Sequence, residues 1–187
     1  MVELVAKIAL LSLLIFLFIG NPTHANDSEL FLKGIKGIVK LNFLDGSNYQ
    51  GQVKDCPIKL NCMHGIGVYV RGGSTYLGKF ISNKPNGKGL FIHEDGQSYD
   101  GFFKNGRLHG KGIMIYLDGR QYEGEYKNNK RNGYGVMTYQ EGGKYLEGSR
   151  YEGEWVNDKR NGQGVMIYPY DSRRLQGEFK EDVFIDY

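Results

Sequence analysis

The chain has 187 residues, a formal charge of +3 and 28 glycines. So small a positive excess does not by itself indicate a nucleic-acid or membrane ligand. Glycine occurs at about twice its usual frequency, yet proline and glycine together stay below the level typical of disordered low-complexity chains. The length suits one folded domain, and the glycine surplus requires a structural reason.

The N-terminus predicts a cleaved signal peptide over residues 1–25. Lys7 precedes an apolar run from Ile8 to Ile19. This run is shorter than the roughly twenty residues of a membrane-spanning helix and has the length of a secretory h-region. The small residues that follow predict cleavage after Ala25. The alternative is an uncleaved anchor that begins near Leu4. Cleavage places the mature chain in a periplasm or outside the cell.

The two cysteines, Cys56 and Cys62, are predicted to form a disulfide, because export delivers them to an oxidising compartment. Their spacing closes a short loop, so the bond stabilises the fold by about 3 kcal/mol at most. The alternative is a metal site that also uses His64. It supplies three ligands, whereas structural zinc sites use four.

A two-part motif recurs along most of the chain. Its first part is Y-x-G-x-aromatic and its second part is G-x-G followed by an apolar run. The first three regular copies start 23 residues apart, at positions 76, 99 and 122, a period typical of stacked supersecondary units. An earlier copy starts at Tyr49 and has Val53 in place of the aromatic residue. The regular copies start at Tyr76, Tyr99, Tyr122 and Tyr151, and their second parts at Gly87, Gly110, Gly133 and Gly162.

These copies predict an all-β fold of stacked hairpins. The cysteine loop and residues 141–150 are insertions at opposite turns, where a hairpin can lengthen without a shift in strand register. Residues 26–48 are predicted to form an N-terminal cap with a lone return strand, and residues 175–187 a partial repeat and C-terminal cap. The five predicted repeats are residues 49–75, 76–98, 99–121, 122–150 and 151–174.

Period-two alternation places glycines and aromatic residues on common faces. Tyr99, Gly101 and Phe103 share one side of their strand, and Gly110 and Gly112 share one side of the next. A strand glycine has no side chain to pack, so a ring from a neighbouring strand can lie across it. We therefore expect the glycines to make room for rings.

Y-x-G-x-[FYW] followed by G-x-G at this spacing resembles the MORN repeat family, from about Tyr49 to Phe179. The resemblance implies an elongated, twisted antiparallel sheet of successive hairpins. It also implies roles in scaffolding, dimerisation and association with membranes or phosphoinositides. Val53 in the first unit and Leu175 in the last depart from the family pattern, which places ligand contacts at those ends in doubt.

The sequence contains no pattern typical of an enzyme. His64, His93 and His109 fall in different repeats, without a nucleophile-and-base arrangement. The segment from Gly73 to Phe80 resembles a phosphate-binding loop, but Phe80 replaces the hydroxyl residue that holds Mg²⁺. We predict no catalytic residue, cofactor or metal, and neither a small-molecule substrate nor a nucleic-acid ligand.

Two features are candidates for binding. A ladder of rings is either a groove for a peptide or apolar ligand, or simply the core. A basic edge of turns either meets anionic headgroups or an acidic partner, or only opposes strand-to-strand association. The ladder comprises Tyr76, Phe80, Tyr99, Phe103, Tyr122, Tyr126, Tyr151 and Trp155. The basic edge comprises Lys84, Lys88, Lys104, Arg107, Lys111, Lys127, Lys130, Arg131, Lys159 and Arg160.

The function predicted from the sequence is that of a non-catalytic repeat scaffold for protein–protein interaction outside the cytoplasm. The partner is another protein or a second copy of the chain, because open sheet ends favour self-association. The alternative is peripheral association with anionic membrane lipid through the basic edge.

Overall fold

The structure is a computed structural model that describes residues 32–56, 59–139, 148–169 and 173–185; side chains 55–61 are not described. The predicted signal peptide and most of the insertion at 141–150 lie outside these ranges. Within them, no helix has the length and apolar character needed to cross a bilayer.

Thirteen strands form one antiparallel sheet, and each strand pairs with its neighbours in sequence. This arrangement confirms the prediction of an all-β sheet of successive hairpins. The limits predicted for individual repeats remain predictions. The strands are β1 (Ile38–Asn42), β2 (Asn48–Cys56), β3 (Lys59–Arg71), β4 (Ser74–Ile81), β5 (Lys84–Ile92), β6 (Ser98–Lys104), β7 (Arg107–Ile115), β8 (Gln121–Lys127), β9 (Lys130–Thr138), β10 (Arg150–Val156), β11 (Lys159–Ile167), β12 (Arg174–Lys180) and β13 (Val183–Ile185).

A row of paired glycines crosses the sheet from β2 to β12. A Cβ added to Gly112 would lie 2.4 Å from the hydroxyl oxygen of Tyr99, and one added to Gly101 would lie equally close. The tyrosine ring therefore lies flat across two facing glycines, which confirms that glycine makes room for rings. The row comprises Gly51, Gly67, Gly78, Gly89, Gly101, Gly112, Gly124, Gly135, Gly153, Gly164 and Gly177.

The first glycine of each G-x-G serves a different purpose. Gly110 has a φ of 66°, and the pairing of β6 with β7 shifts register between Gly101 and Phe103. This irregularity is a β-bulge, which needs a left-handed backbone that glycine adopts without strain. The expectation that Gly110 makes room for a ring like Gly112 is therefore wrong.

The tyrosine hydroxyl explains why the motif begins with tyrosine. Tyr99 Oη donates a hydrogen bond to the carbonyl oxygen of Phe102 at 3.1 Å, and Tyr122 Oη to that of Glu125 at the same distance. These carbonyls lie opposite the bulges, where the regular ladder is interrupted. A phenylalanine would fill the same space and leave the carbonyl without this donor. Tyr49, Tyr76 and Tyr151 make the equivalent bond.

Successive hairpin turns contact each other along one edge of the sheet. The Asp158 N–H donates to Arg131 O at 3.1 Å, and Asp158 Oδ1 accepts from the Arg131 N–H at 2.9 Å. We call this two-way contact a turn clasp. The clasping residue has a positive φ, which asparagine and aspartate tolerate better than most residues. The same clasp joins Asn83 to Met63, Asn129 to Leu108 and Asp182 to Arg160.

Among the described turns, one contact departs from this pattern, and it differs on both sides. Pro85 occupies the receiving position on β5 and has no N–H to donate. The residue that reaches it from the next turn is Gly106, which has no side-chain acceptor. Only the Gly106 N–H to Pro85 O bond remains, at 2.8 Å. The N–H donor on β5 and the side-chain acceptor in the next turn are thus absent together, so neither group is present without its counterpart.

Candidate interaction surface

The predicted ring ladder lies in the core. Its eight rings are at most 7 % exposed, and neighbouring rings meet edge to face with centroids 5.0–5.4 Å apart. Burial raises the pKa of the Tyr151 hydroxyl to about 12. Little ring surface therefore remains for a ligand to contact. The ladder is part of the core, and its proposal as a candidate binding face is corrected. We call this side of the sheet the ring face; its ladder comprises Tyr76, Phe80, Tyr99, Phe103, Tyr122, Tyr126, Tyr151 and Trp155.

Part of the predicted basic edge is structural. The Arg131 side chain is 17 % exposed, its Nε lies 3.3 Å from Asp158 Oδ1, and its guanidinium lies 4.2 Å from the Trp155 ring centre. Arg160 makes the equivalent contacts with Asp182 and is 19 % exposed. These arginines reinforce turn clasps, so they are not free to meet a ligand.

Three lysines also leave the predicted edge. Lys159 bonds to Glu181, and Lys88 and Lys111 lie on strands, on the side opposite the ring face. The remaining cations are exposed at the turns and form no ion pair with another described residue. We call them the free basic edge: Lys84, Lys104, Arg107, Lys127 and Lys130.

The predicted cysteine and histidine sites stay open or gain no support. Cys62 is buried, but the Cys56 side chain lies outside the described part of the chain, so their disulfide remains a prediction. Within that part, no three His, Cys, Asp or Glu side chains gather as a metal site. His93 Nδ1 lies 2.9 Å from Asp95 Oδ1 in a turn.

The side opposite the ring face, which we call the open face, has a central row in cross-strand register. From β3 to β5 the row is apolar and covered. Leu32, from the segment before β1, is 5 % exposed and packs on Val68, Leu77 and Leu90. Beyond β5 apolar and acidic residues alternate. From β3 to β12 the row comprises Val68, Leu77, Leu90, Asp100, Ile113, Glu123, Val136, Glu152, Val165 and Gln176.

Where the cover ends, the open face forms a groove of about 430 Å³ across β5 to β9. Phe102 and Tyr134 are its most exposed large apolar residues, at 49 % and 51 %. Ile113 and Val136 are half-buried beside them. Charged residues complete the lining: Lys88, Asp100, Lys111, Glu123 and Glu125.

Hydrogen bonds and burial set the polar character of the groove. Tyr134 Oη donates to Glu152 Oε1 at 2.7 Å. Asp100 Oδ1 is buried and has no hydrogen-bond partner among the described residues. Burial raises the pKa of Asp100, and the nearby charge of Lys88 opposes that rise. The groove thus combines exposed apolar surface with a carboxylate whose Oδ1 lies buried beneath it.

Sequence reasoning missed Phe102 and Tyr134. Phe102 stands where the other regular repeats have Lys79, Glu125 or Glu154. Tyr134 stands where they have lysine or glutamine and where the first copy has Ile66. An aromatic residue at a variable, outward-facing position of the repeat was the available signal.

Comparison with known proteins identifies the same repeats. A family profile described as "MORN repeat" matches residues 76–98, 99–119, 122–144 and 151–169. No curated protein matches the chain. Among solved structures, the chain is similar to the SAS-4 (dCPAP) TCP domain of Drosophila melanogaster, in complex with a proline rich motif of Ana2 (dSTIL). That similarity has 10 % identity and a TM-score of 0.38, and covers 86 % of this chain and 96 % of that one.

The matched repeats extend from β4 to β11 and coincide with the glycine row and the ring ladder. MORN repeats are in general modules that interact with proteins or membranes, and the family is one of non-enzymatic repeat scaffolds. With four matched repeats spanning residues 76–169, this chain belongs to the MORN repeat family.

Proposed function

We propose that the protein is a non-catalytic scaffold that binds a protein partner on its open face, outside the cytoplasm. The observation that carries this proposal is the uncovered groove with Phe102 and Tyr134 half exposed at its surface. Aromatic residues are enriched in protein interfaces because they bury a large area and keep few rotamers. Their equivalents in the other repeats are polar or, at Ile66, aliphatic, so the fold itself does not require rings there.

The shape of the groove favours a protein segment over a small molecule. It crosses five strands, and strands lie about 4.8 Å apart, so it is roughly 20 Å long. It is also open along its length, whereas small-molecule sites enclose most of their ligand. A segment laid along the central row would continue the cover that Leu32 provides at the N-terminal end.

The location outside the cytoplasm is proposed from residues 1–25 alone, which lie outside the described part of the chain.

The test is a pull-down with the mature chain from its native compartment. We expect a protein retained at high salt, and at least about tenfold less of it with the double variant Phe102→Lys and Tyr134→Gln, because interface aromatics are frequent hot spots. Lysine and glutamine occur at equivalent positions of other repeats, so this variant should fold. The matched control, Lys104→Gln with Lys127→Gln, alters only the free basic edge and should retain the partner. Equal retention by the open-face variant would contradict the proposal.

A second candidate function is peripheral binding to anionic lipid. The free basic edge favours it, because its five cations share one edge and each contributes about 1 kcal/mol near an anionic surface. Co-sedimentation with anionic and neutral vesicles at low and high salt tests it. Salt-sensitive binding that the Lys104→Gln and Lys127→Gln variant loses, with no retained protein, would establish this function in place of the scaffold.

A further inference from the structure

The partner's chemistry can be read from the charges around the groove, and this reading rests on the proposed function. We infer that the open face binds an amphipathic helix of a partner protein. The apolar side chains of this helix alternate with lysine or arginine, and its cations lie over β8 to β10.

The apolar part follows from the contact already made within the chain. Leu32 shows how a side chain from outside the sheet packs on the central row, over Val68, Leu77 and Leu90. The next apolar positions along the same row are Ile113 and Val136, which the described part of the chain leaves only half-buried. An apolar side chain above each would repeat this packing.

The cationic part follows from what stands between those apolar positions. Glu123 pairs in register with both Ile113 and Val136, so a ligand that reaches the two apolar residues passes directly over this carboxylate. Glu123 and Glu125 form no ion pair with any described residue. A cation brought by a partner would supply the missing charge.

Tyr134 supplies the second element for holding a cation. Glu154 lies directly opposite Tyr134 across β9 and β10, although its Oε1 accepts a hydrogen bond from the Gln163 N–H. Glu152 Oε1 accepts a hydrogen bond from the Tyr134 hydroxyl. On the other side, a Cβ added to Gly133 would lie 2.6 Å from Glu125 Oε2, so that carboxylate lies beside the same strand. An exposed ring with carboxylates around it attracts a guanidinium through both the ring face and the ion pairs.

The cations of the open face limit where this attraction acts. Lys88 and Lys111 line the groove on β5 and β7, and Arg150 pairs with Glu152 at 2.7 Å. The partner's cations therefore lie between β8 and the Glu154 end of β10, away from Lys88 and Arg150.

The spacing of the row selects a helix. Like residues recur on every second strand, which is about 10 Å because strands lie about 4.8 Å apart. Seven residues of an α-helix rise about 10.5 Å, which is close to this distance. A helix with one apolar and one cationic position in each heptad therefore matches the alternation of the row over two heptads.

The experiment uses fluorescence anisotropy with the mature chain and three synthetic helical peptides. The peptides share one apolar face and carry arginine, glutamine or glutamate at the alternating positions. We expect the arginine peptide to bind about tenfold more tightly than the glutamate peptide and to weaken as salt rises. Tyr134→Gln and Glu123→Gln should each weaken binding of the arginine peptide about fivefold or more. Glu178→Gln, on β12 beyond the groove, is the matched control and should change nothing.

Each outcome is decisive for the inference. Equal binding of the arginine and glutamate peptides, tighter binding of the glutamate peptide, or no binding of the arginine peptide would overturn it. A native partner that needs Phe102 and Tyr134 for capture would still uphold the proposed scaffold in those cases. Circular dichroism of every variant shows whether a loss of binding reflects unfolding. If Glu123→Gln is unfolded, Glu123→Lys replaces it. This variant introduces a positive charge, as Lys88 already does in the groove, and should weaken binding of the arginine peptide further.

Discussion

Replacing Gly135 by alanine should destabilise the protein by about 1–3 kcal/mol or more, as overpacking does in a tightly packed core. The new Cβ would lie 2.3 Å from Tyr122 Oη and 2.5 Å from Cζ. The Tyr122 ring is 0 % exposed and packs between Tyr126 and Trp155, so it cannot move aside. Urea unfolding followed by circular dichroism measures the cost.

A double-mutant cycle identifies the ring as the cause. In the Tyr122→Leu background the ring is absent. Gly135→Ala should then lower the free energy of unfolding by only a small fraction of what it costs in the wild-type background. The control is Gly133→Ala in the same strand, where φ is 103° and the added Cβ would meet the Glu125 side chain and not the Tyr122 ring. Its cost should be the same in both backgrounds. An osmolyte such as TMAO, present throughout, keeps the weakest variant folded. An unchanged cost of Gly135→Ala after removal of the ring would contradict the account of the glycine row.

Trp155→Ala should cost about 3–5 kcal/mol, the usual range for a buried tryptophan. Trp155 is 2 % exposed, its ring meets those of Tyr122 and Tyr151, and its Nε1–H donates to Gly135 O at 3.2 Å. Its loss also removes the surface on which Arg131 stacks. Trp155→Phe should cost much less, because phenylalanine fills this position in other repeats.

The damage from Trp155→Ala should remain local. Each strand pairs only with its sequence neighbours, and such arrays behave as a sum of neighbouring units. Hydrogen exchange should therefore accelerate at the amides of β9 to β12 and stay slow in β4 and β5. Equal acceleration along the whole sheet would show that the array opens as one unit.

The sheet and its hairpins could be predicted from the sequence because the motif states both the period and the turns. Tyr99, Gly101 and Phe103 alternate as a strand must, and the turn residues tolerate positive φ. The role of Gly110 could not be read in the same way. A bulge glycine and a ring-facing glycine are the same letter, and only the register between β6 and β7 separates them.

The candidate site was less predictable because it depends on contacts between repeats. Arg131 looked like a free cation, since its partner Asp158 lies 27 residues further along the chain in the next turn. The ring ladder was visible as a periodic pattern, but its burial depends on edge-to-face packing across neighbouring strands. Phe102 and Tyr134 were overlooked because they break the repeat pattern instead of following it.

The most direct test of the binding surface is photo-crosslinking in the native compartment. The photoreactive residue p-benzoylphenylalanine would replace Tyr134 on the open face in one variant and Lys127 on the free basic edge in another. The account predicts a defined protein adduct from position 134 and none from position 127. An adduct from position 127 alone, or lipid adducts there with no protein adduct at 134, would contradict the open-face scaffold.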